Sequence, residues 1–295
     1  VEAIKAAEEA AEGGFNIKSM ILHHLADSNE LELPFGVVHL PQFEPVHLGP
    51  LTLDFSISKH VVFMALAAVL VAVLLILAAR DAKREHEKGA RQGPKGAANV
   101  VEAFILFLRD EVAMANIGHG GEKFVPYVVT LFFFILYANL LGLVPGGASA
   151  TGNISVTAAL AFISLIVVEV AGFKALGPKG YLGTIFYIPK GIPVVMQVVM
   201  VVIMTPVEII GKLAKPFALA VRLFANMTAG HFVLLSLIGL IIVYGGFSAT
   251  GLAAVSGSLA LGLFVMFLEI FVGFLQAYIF TVLTAVFIGL IRHAH

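Results

Sequence analysis

The stretch "VVFMALAAVLVAVLLILAA", residues 61–79, decides the fold class because every one of its nineteen side chains is apolar. At about 1.5 Å of rise per residue, a helix of this length crosses the roughly 30 Å hydrocarbon core of a bilayer. The whole chain suits that environment. Of its residues, 59% are hydrophobic and 13% are charged, against about 25% charged in a soluble domain. We therefore expect a polytopic membrane protein.

The flanks of this first span differ in charge. Residues 1–59 hold nine Asp or Glu and three Lys, whereas "RDAKREHEKGARQGPK" at 80–95 holds six Lys or Arg. The positive-inside rule makes the basic loop cytoplasmic and the acidic region external. Within the external region, "VHLGPLTLDFSISKH" at 46–60 is typical of a small β-hairpin, and residues 1–12 are compatible with a short surface helix.

The stretch "NVVEAFILFLRDEVAMAN" at 99–116 combines apolar and charged residues in the pattern of an amphipathic helix. Its apolar side chains recur every three or four residues, which places them on one helical face. We expect this helix to lie in the cytoplasmic interface of the membrane, with packing on other protein as the alternative. The predicted apolar face holds Val101, Phe104, Ile105, Leu108 and Val112.

The next spans come from a run without any formal charge, residues 124–168. The segment "LGLVPGGASATGN" divides this run, because Pro and clustered Gly interrupt helices. It carries no Lys or Arg, as expected for an external loop, whereas lysines follow the second span on the cytoplasmic side. The predicted spans are 124–143 and 154–173.

The last hundred residues do not fit upright spans. A helix over 192–244 is about 80 Å long and one over 253–291 about 58 Å. A steeply tilted hairpin that turns outside at "YGGFSATG" keeps the lysines of the first helix on the cytoplasmic side. The prediction is an all-α membrane protein with five crossing helices and one interfacial helix. It has an external region, 1–59, and a membrane domain, 60–295, with helices at about 60–80, 99–116, 124–143, 154–173, 192–244 and 253–291.

A single arginine, Arg222, lies in this hairpin, in "KPFALAVRLFANMTAGH" at 215–231. A cation at the centre of a membrane helix costs about 2.5–3.5 kcal/mol on insertion scales, and such residues usually mark an ion path. The guanidinium cannot lose its proton to escape this cost. It therefore offers a fixed positive charge to a carboxylate that changes state. The alternative is an arginine that snorkels to the interface or forms a structural pair.

The neighbours of Arg222 favour the functional interpretation. Asn226 follows one turn later on the same face, and His231 follows about half a turn away from that face. On the last helix, Glu269 and Gln276 are seven residues apart and share a face. A histidine changes charge near neutral pH, and a membrane carboxylate also exchanges protons. We therefore expect a proton relay here, although a lone buried histidine is more often a hydrogen-bonded core residue.

Two further carboxylates interrupt apolar spans. Glu169 is expected to line the cavity of His231 and Glu269, and Glu208 to border a second cavity nearer the cytoplasm. The alternative for each is a purely structural role. The sequence lacks cysteine, a Walker A motif, GxSxG and HExxH, so we expect no nucleotide hydrolysis, no metal and no cofactor. The other histidines lack convincing metal-ligand spacing; they include His23, His24, His39, His47, His86 and His119.

The sequence resembles subunit a of the F-type ATP synthase, the membrane stator of a proton-driven rotor. The resemblance lies in "KPFALAVRLFANMTAGH", in "FLEIFVGFLQAYIFTVLTAVFI" at 267–288 and in "ILHHLADS" at 21–28. It covers nearly the whole chain. Some relatives carry the acid and the histidine of positions 231 and 269 in exchanged order, and some carry an acid just before the span at 154.

The resemblance implies a mechanism. Arg222 would face the carboxylate of a rotor ring of c-type subunits and separate two half-channels. The outer half-channel or its junction with the ring would hold Asn226, His231, Glu269 and Gln276, and Glu208 would match an acid near the inner one. Further implied partners are b-type peripheral-stalk subunits, the catalytic head reached through the stalks, lipid and H⁺, with no nucleic acid.

The implied location is the inner membrane of a bacterium, with the N-terminus external and the C-terminus cytoplasmic, and the chain itself would not catalyse ATP chemistry. Two rival functions remain at this point. A secondary transporter with an intramembrane Arg/His/Glu site would show inverted repeats, and no internal repeat is apparent in the sequence. A structural scaffold would not need these three residues in one hairpin.

Overall fold

The computed structural model describes residues 27–33, 36–44, 46–48, 51–53, 56–87, 97–144, 146–186, 193–246 and 248–293. The predicted surface helix at 1–12 lies outside these ranges, as does the 88–95 part of the basic loop. The described chain before the first long helix forms two small hairpins.

Both hairpins are antiparallel. Strand β1 (Glu30–Leu33) pairs with β2 (Gly36–His39), and β3 (Val46–Leu48) pairs with β4 (Leu51–Leu53). The second pair confirms the hairpin predicted within 46–60. The first pair was not predicted, although "ELELPFGVVH" alternates on either side of a Pro-Phe-Gly turn signal.

The membrane domain is helical throughout its described length. Five helices are long and apolar enough to cross a membrane, which confirms the predicted all-α membrane protein with five crossing helices. The helices, in chain order, are α1 (Lys59–Glu87), α2 (Ala97–Phe107), α3 (Val125–Gly142), α4 (Ile154–Ile185), α5 (Val194–Tyr244) and α6 (Ala249–Arg292). All but α2 belong to the five.

Helix α2 continues through a π-helical turn, Leu108–Met114, and a last turn at Ala115–Ile117. Along this length Leu108 and Val112 are fully buried, and the ring of Phe104 stacks on that of Phe132, with 5.4 Å between centroids. The apolar face of the amphipathic helix is thus covered by protein, which is the second of the two environments considered for it.

The chain divides into two compact units, each with its own core. The first comprises the residues up to Leu66, Ala138–Asn153 and Phe224–Phe274. The second comprises Ala67–Tyr137, Ile154–Leu223 and the residues from Leu275 onward. The first is centred on the buried residues Ala138, Asn139, Thr151 and Met227, and the second on Phe132, Ile135, Ala277 and Ile288.

Helix α4 is broken at one residue of the second unit. Gly177 has φ 70° and ψ 175°, and Pro178 follows it. Glycine adopts this positive φ without a Cβ clash, and proline is well placed to begin the next helical segment. The predicted span 154–173 therefore covers only the first part of α4, which resumes in a new direction and ends at Ile185.

Candidate functional site

In the first unit, α5 and α6 bring His231 and Glu269 into contact. The Nδ1 atom of His231 lies 2.8 Å from Oε1 of Glu269, and the two side chains are 20% and 3% exposed. The approach depends on Gly230, because a Cβ at this position would lie 2.5 Å from the same carboxylate oxygen. The two titratable groups predicted from the sequence thus form a direct pair.

Both ring nitrogens of His231 also face main-chain carbonyls. Nδ1 lies 3.0 Å from the Met227 oxygen, and Nε2 lies 2.9 Å from the Gly142 oxygen. Carbonyls only accept hydrogen bonds, and a neutral imidazole has a single donor, so only the doubly protonated ring donates to both. The Nδ1 atom therefore lies near two oxygens, the Met227 carbonyl at 3.0 Å and Oε1 of Glu269 at 2.8 Å.

A buried polar network fixes α6 one turn beyond Glu269. The amide of Asn139 donates to the Gly273 carbonyl at 2.8 Å, and the hydroxyl of Thr151 donates to the Asn139 oxygen at 2.6 Å. Ser149 and Thr151 share a further hydrogen bond of 2.8 Å. This network was not predicted from the sequence. The available signal was an amide, Asn139, inside an otherwise apolar span.

A cavity of about 470 Å³ adjoins this pair in the first unit. Its walls are mostly apolar, and His231 and Ser258 are polar residues on them. Glu269 does not line the cavity and is nearly inaccessible. The imidazole therefore touches both the cavity and the buried carboxylate, which is the arrangement a proton needs to pass from one to the other.

Arg222 lies on α5 in the second unit and is exposed. Its neighbours Leu219 and Leu223 on the same helix are buried. It makes no hydrogen bond or ion pair with any residue in the described ranges. The predicted role of Arg222 as a buried charge therefore stays a prediction.

A second cavity, of about 130 Å³, lies in the second unit and is lined by Glu169 and Glu208. Glu169 was expected to line the cavity of His231 and Glu269; in the described chain it lines this one together with Glu208. The α5 residues that line the cavity belong to one helical face, because each is three or four residues from another member. They are Glu208, Lys212, Lys215, Pro216 and Leu219.

Two predicted residues remain. Asn226 is half-buried and belongs to the first unit, whereas Gln276 is buried and belongs to the second. The structure therefore pairs His231 with Glu269 by direct contact and joins Glu169 with Glu208 at one cavity. Arg222 is left as an exposed cation.

Comparison with known proteins gives one consistent family. The model described as ATP synthase A chain matches residues 61–289. The ATP synthase subunit a 2 of Chlorobaculum tepidum is 45% identical over 97% of this chain and 76% of its own length. The subunit a of Chloroherpeton thalassium is 47% identical over 91% and 75%. That of Myxococcus xanthus is 46% identical over 81% and 73%.

Proposed function

The chain belongs to the ATP synthase A chain family, and from this we propose that it is the ion-conducting stator subunit of a rotary ATP synthase, with two proton half-channels. Membership makes it a multi-pass subunit of the membrane sector and part of a multisubunit complex. The half-channels, the role of Arg222 and the individual partners are what we propose beyond that.

The outer half-channel is assigned to the larger cavity and the pair behind it. A proton that enters the cavity reaches the imidazole of His231, and the carboxylate of Glu269 takes it from there, at the 2.8 Å contact. An acid and a base in contact, one at a cavity wall and one buried, suit proton transfer. This contact is the observation that carries the proposal. Asn226 and Gln276 are assigned to the same path, toward its junction with the rotor.

Arg222 is assigned to the rotor carboxylate. An exposed guanidinium within an apolar helix gains a partner when an ionised carboxylate of a c-type ring passes it. Its fixed charge favours the ionised carboxylate and repels a proton that would leak directly between the half-channels. Because α5 has 51 residues, at about 1.5 Å each it far exceeds a bilayer thickness, which supports a tilted hairpin lying along the ring.

The inner half-channel is assigned to the smaller cavity. The α5 residues of this cavity extend from Glu208 to Leu219. Arg222 is the next residue on the same helical face, three positions after Leu219. A water-filled path along this face leads away from Arg222 past two lysines and a carboxylate. We assign its opening to the cytoplasm, with the N-terminal region external and the C-terminus cytoplasmic, in a bacterial inner membrane.

The remaining assignments concern partners and the ion. The b-type peripheral-stalk subunits hold this chain against rotation and connect it to the catalytic head. The ion is H⁺ rather than Na⁺, because imidazole and carboxylate in contact exchange protons, whereas a sodium site needs several oxygen ligands. The described residues contain no group of three His, Cys, Asp or Glu that suits a metal ion.

The test uses the complete synthase in lipid vesicles. ATP-driven acidification is measured with and without Na⁺, and the complex is analysed for co-purifying subunits. We expect acidification that does not depend on Na⁺, together with a ring of small hairpin proteins and a catalytic head. Sodium-dependent pumping would overturn the ion assignment, and transport by the isolated chain without a ring would overturn the stator role.

A further inference from the structure

The smaller cavity contains a three-residue cluster that the steps above do not use. The carboxylate of Glu169 accepts a hydrogen bond from the Tyr181 hydroxyl at Oε2. The ammonium of Lys212 lies 3.4 Å from the same oxygen. The side chains of Glu169 and Lys212 are 24% and 15% exposed, so the pair is largely removed from water. The other oxygen, Oε1, has no hydrogen-bond partner in the described part of the chain.

The break in α4 at Gly177 allows the three residues of this cluster to meet. In a straight helix, residues 169 and 181 would be separated by about 18 Å along the axis. At Gly177 the chain turns, and the segment after it brings Tyr181 back to Glu169. The ring of Tyr181 packs edge-on against Phe173, 5.9 Å between centroids, and the Lys212 ammonium lies 4.7 Å above it. Tyr181 is therefore held in one position.

Lys212 has a second carboxylate within reach. Glu208 precedes it by four residues on α5, which is the spacing at which acidic and basic side chains pair on a helix. Among the described residues, however, Lys212 forms its ion pair with Glu169, and Glu208 is exposed. The other cation of the cavity, Lys215, lies 5.3 Å from the centroid of the Phe287 ring. Lys212 thus has two alternative partners across one cavity.

We propose that Glu169 is a proton-carrying residue of the inner half-channel, which Lys212 keeps ionised between transfers and which Tyr181 positions. This rests on the function proposed above. A proton released by the rotor binds Oε1 of Glu169, whose carboxyl group becomes neutral, and Lys212 turns to Glu208. When the proton leaves Glu169 for water in the cavity, the ion pair with Lys212 forms again. No proton or charge is gained or lost over the cycle.

The competing explanation is a structural ion pair that only ties α4 to α5. The two explanations differ for a pair of neutral amides. Glu169→Gln with Lys212→Gln keeps the volume and the capacity for a hydrogen bond but removes both charges and the proton-binding group. A structural pair tolerates this double change, since no uncompensated charge remains. A proton carrier does not.

The experiment measures passive proton flux through membranes from which the catalytic head has been removed, with assembly checked by the amount of ring that co-purifies. We expect Glu169→Gln to lower the flux at least roughly tenfold, the scale of a lost acid–base group, and the double variant to stay equally low. Lys212→Gln lowers it as well, and Lys212→Arg recovers most of it because the cation is kept. Tyr181→Phe has a smaller effect. Glu122→Gln, an exposed acid outside the cavity, is the matched control.

Each outcome decides between the explanations. Recovery of flux in the double variant, or normal flux in Glu169→Gln with an intact ring, overturns the proposal and leaves a structural pair. If the proposed function itself is wrong, the result is different: wild-type membranes without the catalytic head then conduct no protons. Single-cysteine variants add an independent measurement, since the chain contains no cysteine. Glu169→Cys must react with water-soluble thiol reagents supplied from the cytoplasmic side, and reaction only from the external side contradicts the assignment.

Discussion

The imidazole of His231 meets the carboxylate of Glu269 at 2.8 Å, and the same imidazole reaches two main-chain carbonyls. The ring is thereby held in a single orientation between a cavity and a nearly inaccessible acid. Under the proposed function, we expect the two groups to transfer protons as one unit.

The first prediction tests this unit by exchange. His231→Glu places two carboxylates together and Glu269→His places two imidazoles together, and like charges at one site oppose each other. Each single exchange should lower proton flux through the membrane sector. The double exchange, His231→Glu with Glu269→His, should recover part of it, with a coupling energy of at least about 1 kcal/mol. Proton flux at several pH values is the measurement. Simple addition of the two single effects contradicts the shared site.

The second prediction concerns Gly230. A Cβ added here would meet Glu269 Oε1 at 2.5 Å and displace the carboxylate. Gly230→Ala should therefore lower proton flux, by up to roughly 100-fold because small displacements of reacting groups are costly. Gly211→Ala is the matched control, since it lies in the same helix and a Cβ there has nothing within 4 Å. Equal flux in the two variants would show that the position of Glu269 is unimportant.

The third prediction concerns Arg222. Its replacement by Ala should lower coupled ATP synthesis at least about 100-fold, the scale of a lost preorganised charge, while the complex still assembles because the exposed side chain supports no packing in the chain. Arg222→Lys should also fail, because a compact ammonium lacks the planar fork and loses its proton more readily. Arg84→Ala, which removes an exposed arginine on α1, is the control. Robust synthesis by Arg222→Ala membranes refutes the assignment.

The fourth prediction concerns topology. Because the natural chain has no cysteine, single cysteines at Lys88 and Ser28 report their own accessibility without background from this subunit. From the asymmetry of Lys and Arg we expect residue 88 in the cytoplasm and residue 28 outside. An impermeant thiol reagent should label the two variants from opposite sides of sealed vesicles. Labelling of both from one side rejects the proposed orientation.

The five crossing helices were predictable from the length of the apolar segments, because a long segment without charged residues rarely forms anything other than a membrane helix. The chemistry of His231 and Glu269 was also visible in the sequence, since they stand out in an apolar hairpin. Their contact was not, because it depends on how α5 packs against α6 and on the space left by Gly230. Residue spacing predicts which side chains of one helix share a face. It does not predict which residues of a neighbouring helix contact that face.

The position of Glu169 shows the other limit. Its span was expected to end near 173. The chain instead resumes its helix after Gly177 and folds Tyr181 onto Glu169. The backbone angles of Gly177 thus decide that Tyr181 reaches Glu169, and no pattern of hydrophobicity records those angles.

The carbonyl acceptors of His231 have a consequence for mutation. The main-chain carbonyl oxygens of Gly142 and Met227 are present with any side chain at these positions. Substitution of the side chain therefore does not remove the hydrogen-bond acceptor. Gly142 is constrained for another reason, because a Cβ would lie 2.4 Å from that of Ser149. Replacement of Gly142 by alanine will therefore show the effect of the steric clash. It will not show the contribution of the hydrogen bond to the Gly142 carbonyl. Only replacement of the peptide linkage itself, for example by an ester, weakens that acceptor.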